Sequence, residues 1–248
     1  MLQVSRNKIT EPDKSELERL KAGFAETSCL FLPQFLDVSI LNYFLRRLAT
    51  TRFVPKFELD GQESFGKVLF VPPDEAVIFT FHFLLNNPKL FRLIRAITAC
   101  QAIGNFFGRM HRSEPQQNHL IDWHGDNADN RLIGMTIDLS SEEYTGGKFQ
   151  LRENNSEKIL REINRTKPGD AFIFRIAPGL QHRLTTLESG GNRTVGVGWF
   201  RSQPDWQVFS RDYFQSFEIQ KALCVISPEK MGRKIRWKPG IDSLAVNF

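Results

Sequence analysis

The sequence predicts a mainly β fold with flanking helices, built on a jelly-roll or barrel core. Three observations predict it. About eight short apolar runs follow one another after residue 104, at the lengths and spacings of strands in an all-β sandwich or barrel. Paired turn residues punctuate them: Gly146-Gly147, Pro168-Gly169-Asp170, Pro178-Gly179 and Gly190-Gly191. Before residue 104 the strongest apolar periodicity is helical, so helices precede the strands and back one sheet.

Taken in order, residues 1–13 read as a loose tail. Lys14 to Ala25 has helical composition, with Ser15 as a candidate cap. Cys29-Leu30-Phe31-Leu32 is a short strand ended by Pro33. Asp37 caps a helix running to about Thr50, whose Ile40, Leu41, Phe44, Leu45 and Leu48 repeat at helical spacing. Residues 53–82 read as strands and turns, with Asp60-Gly61 as a turn signal and Pro72-Pro73 as a breaker. Asn87-Pro88 opens a second helix, Asn as cap and Pro at the first position, and Leu90, Phe91, Leu93, Ile94 and Ile97 form its buried side. The strands then fall at 105–112, 117–123, 131–139, 147–152, 157–163, 171–176, 181–187 and 193–201. Residues 204–248 are mixed and mostly polar and read as an appended cover. The reading is one domain: 1–103 backing the sheet, 104–203 the core, 204–248 the cover.

The chain has 248 residues and is 41% hydrophobic, enough for a sizeable core. Its net charge of +5 suits an anionic co-substrate or an acidic partner. The Lys and Arg are scattered, which argues against a nucleic-acid partner; the densest stretch, Lys230 to Lys238, reads as a solvated face. Cys29, Cys100 and Cys224 are odd in number and far apart, so neither a disulfide framework nor a zinc–thiolate site is supported. The N-terminus is polar and no apolar run approaches the ~20 residues of a membrane span, so the expectation is a cytoplasmic protein with no membrane partner. Nothing in the sequence fixes an oligomeric state.

The chemistry concentrates in His124-Gly125-Asp126, His182 and Arg193. Residues two apart on a strand point to one side, so His124 and Asp126 at a strand end can reach one ion together, with Gly125 leaving space between them. His182 opens the run Gln181-His182-Arg183-Leu184 after the Pro178-Gly179 turn. Two imidazoles and a carboxylate without cysteine favour Fe(II), held facially with open positions, over structural zinc. A guanidinium matches a carboxylate through two parallel bonds. Alternation puts Arg193, Val195, Val197 and Trp199 on the inner side of their strand, where a buried arginine needs an anionic partner. Together these residues suggest an iron enzyme that activates O2 with 2-oxoglutarate. His82, in the apolar stretch Ile78 to Phe83, reads as a structural histidine; His111 and His119 precede the triad on strands that could line the same cavity.

At this point the sequence resembles the prolyl-4-hydroxylase-like group of Fe(II)/2-oxoglutarate-dependent dioxygenases. The marks are His124-Gly125-Asp126, Arg131 opening the next strand, Gly146-Gly147-Lys148-Phe149, Pro168-Gly169-Asp170-Ala171-Phe172-Ile173-Phe174, His182, and Arg193 with Trp199-Phe200. The resemblance implies a double-stranded β-helix of the jelly-roll or cupin kind. It also implies iron on His124, Asp126 and His182, and the distal carboxylate of 2-oxoglutarate on Arg193. Two tyrosines frequent in the group are missing here: the corresponding regions read Met110-His111-Arg112 and Ile133-Gly134-Met135-Thr136-Ile137-Asp138. Thr136 or His111 is the candidate replacement beside the co-substrate. Asp138 either faces elsewhere or binds a cationic substrate. Asp126 fills the position that related halogenases leave open for chloride, which favours hydroxylation.

The expected substrate is a peptidyl residue or an amino-acid-like small molecule. Trp123, Asn127, Asp129, Arg131, Arg152 and Trp199 are candidate contacts. Two alternatives stand beside this reading: a cupin-like metalloprotein that does not use 2-oxoglutarate, and a barrel that serves only as an interaction module.

Overall fold

The computed structural model describes residues 1–60, 63–127, 130–164 and 166–202. The C-terminal cover with its basic stretch, Cys224, Gly61 and Asp129 lie outside the described residues.

The first residues form a small hairpin, β1 (Gln3–Val4) with β2 (Ile9–Thr10), instead of a loose tail. Leu2, Val4 and Ile9 are buried in the main core, so three apolar side chains justify ordering this segment. Helix α1 (Lys14–Thr27) is capped by Asp13, whose side chain accepts from the Glu16 N–H; Ser15 lies inside the helix. Strand β3 (Cys29–Leu32) follows. Helix α2 (Val38–Leu48) is capped by Asp37, and buries Ile40, Phe44 and Leu48. Strands β4 (Val54–Asp60) and β5 (Glu63–Phe70) form a hairpin.

The next segment departs from its predicted strands and turns: Ala76–Leu85 is a helix, α3. Its buried Val77, Ile78, Phe81 and Leu85 fit a helical stripe, but Phe79 and Phe83 on the other side are exposed and blur the periodicity. Helix α4 (Pro88–Thr98) opens as predicted, with Asn87 accepting from the Lys89 N–H.

The strands of the second half are β6 (Asn105–Ser113), β7 (Leu120–His124), β8 (Arg131–Asp138), β9 (Tyr144–Gly146), β10 (Phe149–Glu153), β11 (Ile159–Ile163), β12 (Ala171–Arg175), β13 (Leu180–Leu184), β14 (Leu187–Gly190) and β15 (Arg193–Arg201). Eight of them follow the predicted runs closely; the short pair β9–β14 had no apolar run to announce it.

One long antiparallel sheet runs β11-β10-β13-β7-β5-β6-β15-β8-β12-β3, with β4 joined to β5. It folds over on itself, so that Phe149 of β10 meets Phe172 of β12 at 4.6 Å between ring centroids. This is the expected double-stranded β-helix: mainly β, nearly closed, with helices outside. The helices cover the β6-β15-β8-β12 side through Phe81, Leu90, Ile94, Phe106, Ile137 and Phe200. The inner faces of the two halves enclose a cavity. Gly134 leaves room for the Phe174 ring of the neighbouring strand β12, which lies over it where a Cβ would stand. Among the described residues, no helix is long and apolar enough to cross a membrane.

Candidate metal centre

Two strand pairings assemble the triad. β13 pairs with β7 so that His182 and His124 are direct cross-strand partners. Their rings lie 4.2 Å apart between centroids. Asp126, two residues past His124, brings its Oδ2 to 3.5 Å from His182 Nε2. One donor atom from each residue falls within 4.8 Å of the others. The 58-residue separation of the two histidines is thus closed by a single antiparallel register.

Each group is held in the form a metal needs. His124 donates its Nδ1–H to the Asp122 carbonyl at 2.7 Å, which leaves Nε2 as the free lone pair. Phe65 stacks on its ring at 4.6 Å. Burial, with His124 and Arg131 nearby, pushes the His182 imidazole down to about 3, so it is neutral at physiological pH. Burial works against the Asp126 carboxylate, but His182, Arg131, His124 and the Trp199 N–H outweigh it and hold its pKa below the usual carboxylate range. Both carboxylate oxygens are engaged: Arg131 Nη1 donates to Oδ1 at 2.9 Å and Trp199 Nε1 donates to Oδ2 at 2.6 Å. Arg131 also lies 4.0 Å over the Trp199 ring. Two imidazoles and an ionised, oriented carboxylate, open to a cavity on one side, fit a divalent first-row metal such as Fe(II).

The cavity beyond the triad encloses about 780 Å³ including its mouth. Arg193, Val195, Val197 and Trp199 all line it, following the predicted alternation along β15. Arg193 is buried, at 5% exposure, and among the described residues no acid pairs with it. Its side chain packs against Gly147, where φ is +60° and a Cβ would meet Arg193 Cδ at 2.9 Å. Thr136, Ser113 and His111 line the same space. Burial, then Arg109 and Arg193, push His111 down to about 3, and its buried Nε2 has no hydrogen-bond partner among the described residues. Its nearest charged neighbour is Glu58, whose Oε1 lies 3.8 Å from Nε2.

Several sequence-predicted contacts lie elsewhere. Trp123 points to the outer face, as strand alternation from His124 requires, and is covered there by Arg152 at 4.0 Å and Arg183 at 4.6 Å. Arg152 is therefore off the cavity too. Asn127 is exposed and does not line it. Asp138 is 1% exposed at the closed end of the barrel, where it accepts hydrogen bonds from Tyr144, Thr166 and the Ser140 N–H. Its carboxylate is taken up by these contacts and is not among the groups that line the cavity. Arg131 orients the metal-side carboxylate. Trp199 does the same and also lines the cavity. His119 accepts from the Glu114 N–H in a turn off the cavity, and His82 is tied to the Gly108 backbone.

One polar group on the wall was not foreseen. Glu58 of β4 lies against Lys56 Nζ at 2.8 Å and Arg109 Nη1 at 3.2 Å, and lines the cavity near the triad. Burial pushes its carboxyl up to about 7, with His124 pulling the other way. Its contact with Arg109 joins residues 51 apart in the chain, and no local motif signals it.

No family model and no curated protein matches the sequence. Solved structures do match in fold. A 2OG-Fe(II) oxygenase family oxidoreductase from Burkholderia pseudomallei superposes with a TM-score of 0.58 at 16% identity, over 82% of this chain and 97% of that one. This is the fold of the 2OG-Fe(II) oxygenases. A Pseudomonas putida prolyl-4-hydroxylase shares it with a TM-score of 0.54 at 16% identity, over 75% of this chain and 99% of that one. So does the α-ketoglutarate-dependent epimerase SnoN of nogalamycin biosynthesis, at 0.51 and 13%, over 78% and 89%. The fold therefore carries both hydroxylase and epimerase chemistry, and the outcome in this chain depends on its own cavity.

A prediction follows from the Asp126 contacts. Trp199→Phe keeps the aromatic surface but removes the donor to Oδ2, and should weaken Fe(II) binding by about 10- to 100-fold with little change in melting temperature of the metal-free protein. Metal titration beside a thermal melt checks it. Unchanged affinity would mean Arg131 alone orients the carboxylate.

Proposed function

We propose that this protein is an Fe(II)- and 2-oxoglutarate-dependent oxygenase that hydroxylates an unactivated C–H bond of a peptidyl or amino-acid-like substrate. The single observation that carries the reading is the convergence of His124, Asp126 and His182 on a cavity that also holds the buried Arg193, which has no acidic partner among the described residues. The shared fold of the 2OG-Fe(II) oxygenases supports it. His124 Nε2, a His182 nitrogen and an Asp126 oxygen would hold the metal, and Arg193 would take the distal carboxylate of 2-oxoglutarate. Thr136, Ser113 and His111 are the nearby polar groups that would stand in for the missing tyrosines. When bound, the iron with its co-substrate and O2 supplies the oxidising chemistry at a C–H bond.

The chain's own part is positioning and exclusion of water. Phe65, Phe149, Phe172 and Phe174 give the cavity aromatic walls, which limit quenching of a reactive species by solvent. Arg131 and Trp199 fix the carboxylate in one orientation, and Phe65 and Phe174 confine the two imidazole rings. A Trichoplax adhaerens prolyl hydroxylase of the same fold is known in complex with a peptide fragment, which supports a peptide substrate as one form of this proposal.

The test is an anaerobic titration of the metal-free protein with Fe(II) and 2-oxoglutarate, following the visible charge-transfer band of the chelate. A saturable band that disappears in His182→Ala is the expected result. Metal binding without the band would replace the oxygenase reading with a cupin-like metalloprotein. No metal binding would leave a barrel that acts through a partner.

A further inference from the structure

Helix α3 stands in for a neighbouring strand along part of β6. On one side β6 is paired with β15 over its whole length; on the other, β5 reaches only His111 and Arg112. Side chains of α3 hold the edge beyond. Asn86, its C-cap, donates from Nδ2 to the Phe106 carbonyl and accepts from the Phe106 N–H, both at 2.8 Å. His82 Nε2 meets the Gly108 carbonyl at 2.7 Å, and its ring stacks on Phe107 at 5.1 Å. One face of α3 is thus committed to the barrel. The opposite face is Ala76, Phe79, Phe83 and Asn86, a stripe at helical spacing in which Phe79 is 53% and Phe83 86% exposed. A lone exposed phenylalanine is ordinary, but two on adjacent turns form an apolar patch that gains by being covered.

The chain carries a matching stripe close by. β15 ends at Arg201 opposite Asn105, next to the Phe106 that Asn86 holds. Residues 203–248 therefore leave the barrel one strand away from the C-terminal end of α3. The first part of that segment contains Trp206, Phe209, Tyr213 and Phe217. Steps of three, four and four residues place these aromatics on one side of a helix, with Gln207, Arg211, Gln215 and Glu218 on the other. We infer that residues 204–217 fold back as an amphipathic helix, antiparallel to α3, and lay this aromatic stripe across Phe79 and Phe83. The lengths agree, at about 21 Å for such a segment against about 15 Å for α3. Attachment through Ser202 and Gln203 alone gives the stripe an effective concentration of millimolar order, which favours it over a separate copy at micromolar concentration. Docked there, the segment clamps the helix that seals the edge of β6, the strand that supplies Arg109, His111 and Ser113 to the cavity wall.

The experiment is hydrogen–deuterium exchange of the 248-residue chain, read by mass spectrometry, beside sedimentation equilibrium at the same concentration. A monomer is expected, in which the amides of 204–217 exchange about 10-fold or more slowly than in an unstructured chain, the effect of covering one or two aromatic side chains. Phe79→Gln with Phe83→Gln should abolish that protection and leave β8 and β15 unchanged, because both side chains lie on the solvent side of α3. Trp206→Ala with Phe209→Ala should speed exchange in α3 by a comparable factor, a reciprocal loss that a segment docked elsewhere would not cause. Protection of 204–217 that survives the α3 substitutions would overturn the inference. So would its absence from the native chain, which would leave the face to an external partner. A dimer whose α3 protection fades on dilution would give the face to a second copy and overturn it as well.

Discussion

The Asp126→Ala protein should bind Fe(II) more than about 100-fold more weakly than the native chain, beyond the 10- to 100-fold expected from losing an outer partner of a ligand. One charged ligand of three is removed, and the two remaining imidazoles offer no negative charge to the ion. The signature separates this from misfolding. Metal that binds only the folded state stabilises it by about 2.7 kcal/mol at a free concentration 100 times the dissociation constant. Native protein should therefore melt several degrees higher with Fe(II) than without, while Asp126→Ala melts at one temperature in both. The metal-free melt of the variant should stay near that of the metal-free native protein. Arg131 loses its acid partner, but the stack on Trp199 remains to hold it. An undiminished shift with Fe(II) in Asp126→Ala would remove this carboxylate from the site.

Why the site was legible in the sequence is a matter of period. Residues two apart on β7 and on β15 share a face, so His124 with Asp126, and Arg193 with Val197 and Trp199, could be assigned a side by counting. The same counting, applied to Trp123, excludes it from the cavity once His124 is placed inside. Proximity to a ligand in sequence had suggested the opposite. Asp138 shows a second limit. Its side of the strand is the inner one, across from Val195, but the barrel closes at that end and Tyr144 with Thr166 consumes the carboxylate. Depth along a strand is set by the closure of the whole sheet, which no local pattern encodes. Helix α3 was hidden for another reason: Phe79 and Phe83 make its exposed side as apolar as its buried one, so the helical moment vanishes. Glu58 and Arg109 were silent because an ion pair between distant strands leaves no spacing to read.

The second large effect is expected at the other end of the cavity. Arg193→Ala should raise the 2-oxoglutarate requirement by roughly 10- to 100-fold, the equivalent of a charge-assisted pair worth about 1.5–3 kcal/mol. The argument rests on what surrounds the guanidinium. It is buried on the inner face of β15, packed on Gly147, with Ser113 as its cross-strand neighbour and His111 and Tyr144 as electrostatic ones. Among the described residues no acid neutralises it, so a fixed cation stands in a largely apolar wall until an anion arrives. Fe(II) affinity measured without co-substrate should be unchanged, because Arg193 touches none of the three ligands. Arg193→Lys should fall between, since an ammonium keeps the charge and loses the paired geometry. If the requirement is unmoved in Arg193→Ala while Fe(II) still binds, the clamp passes to another arginine of the cavity wall, Arg109 or Arg183.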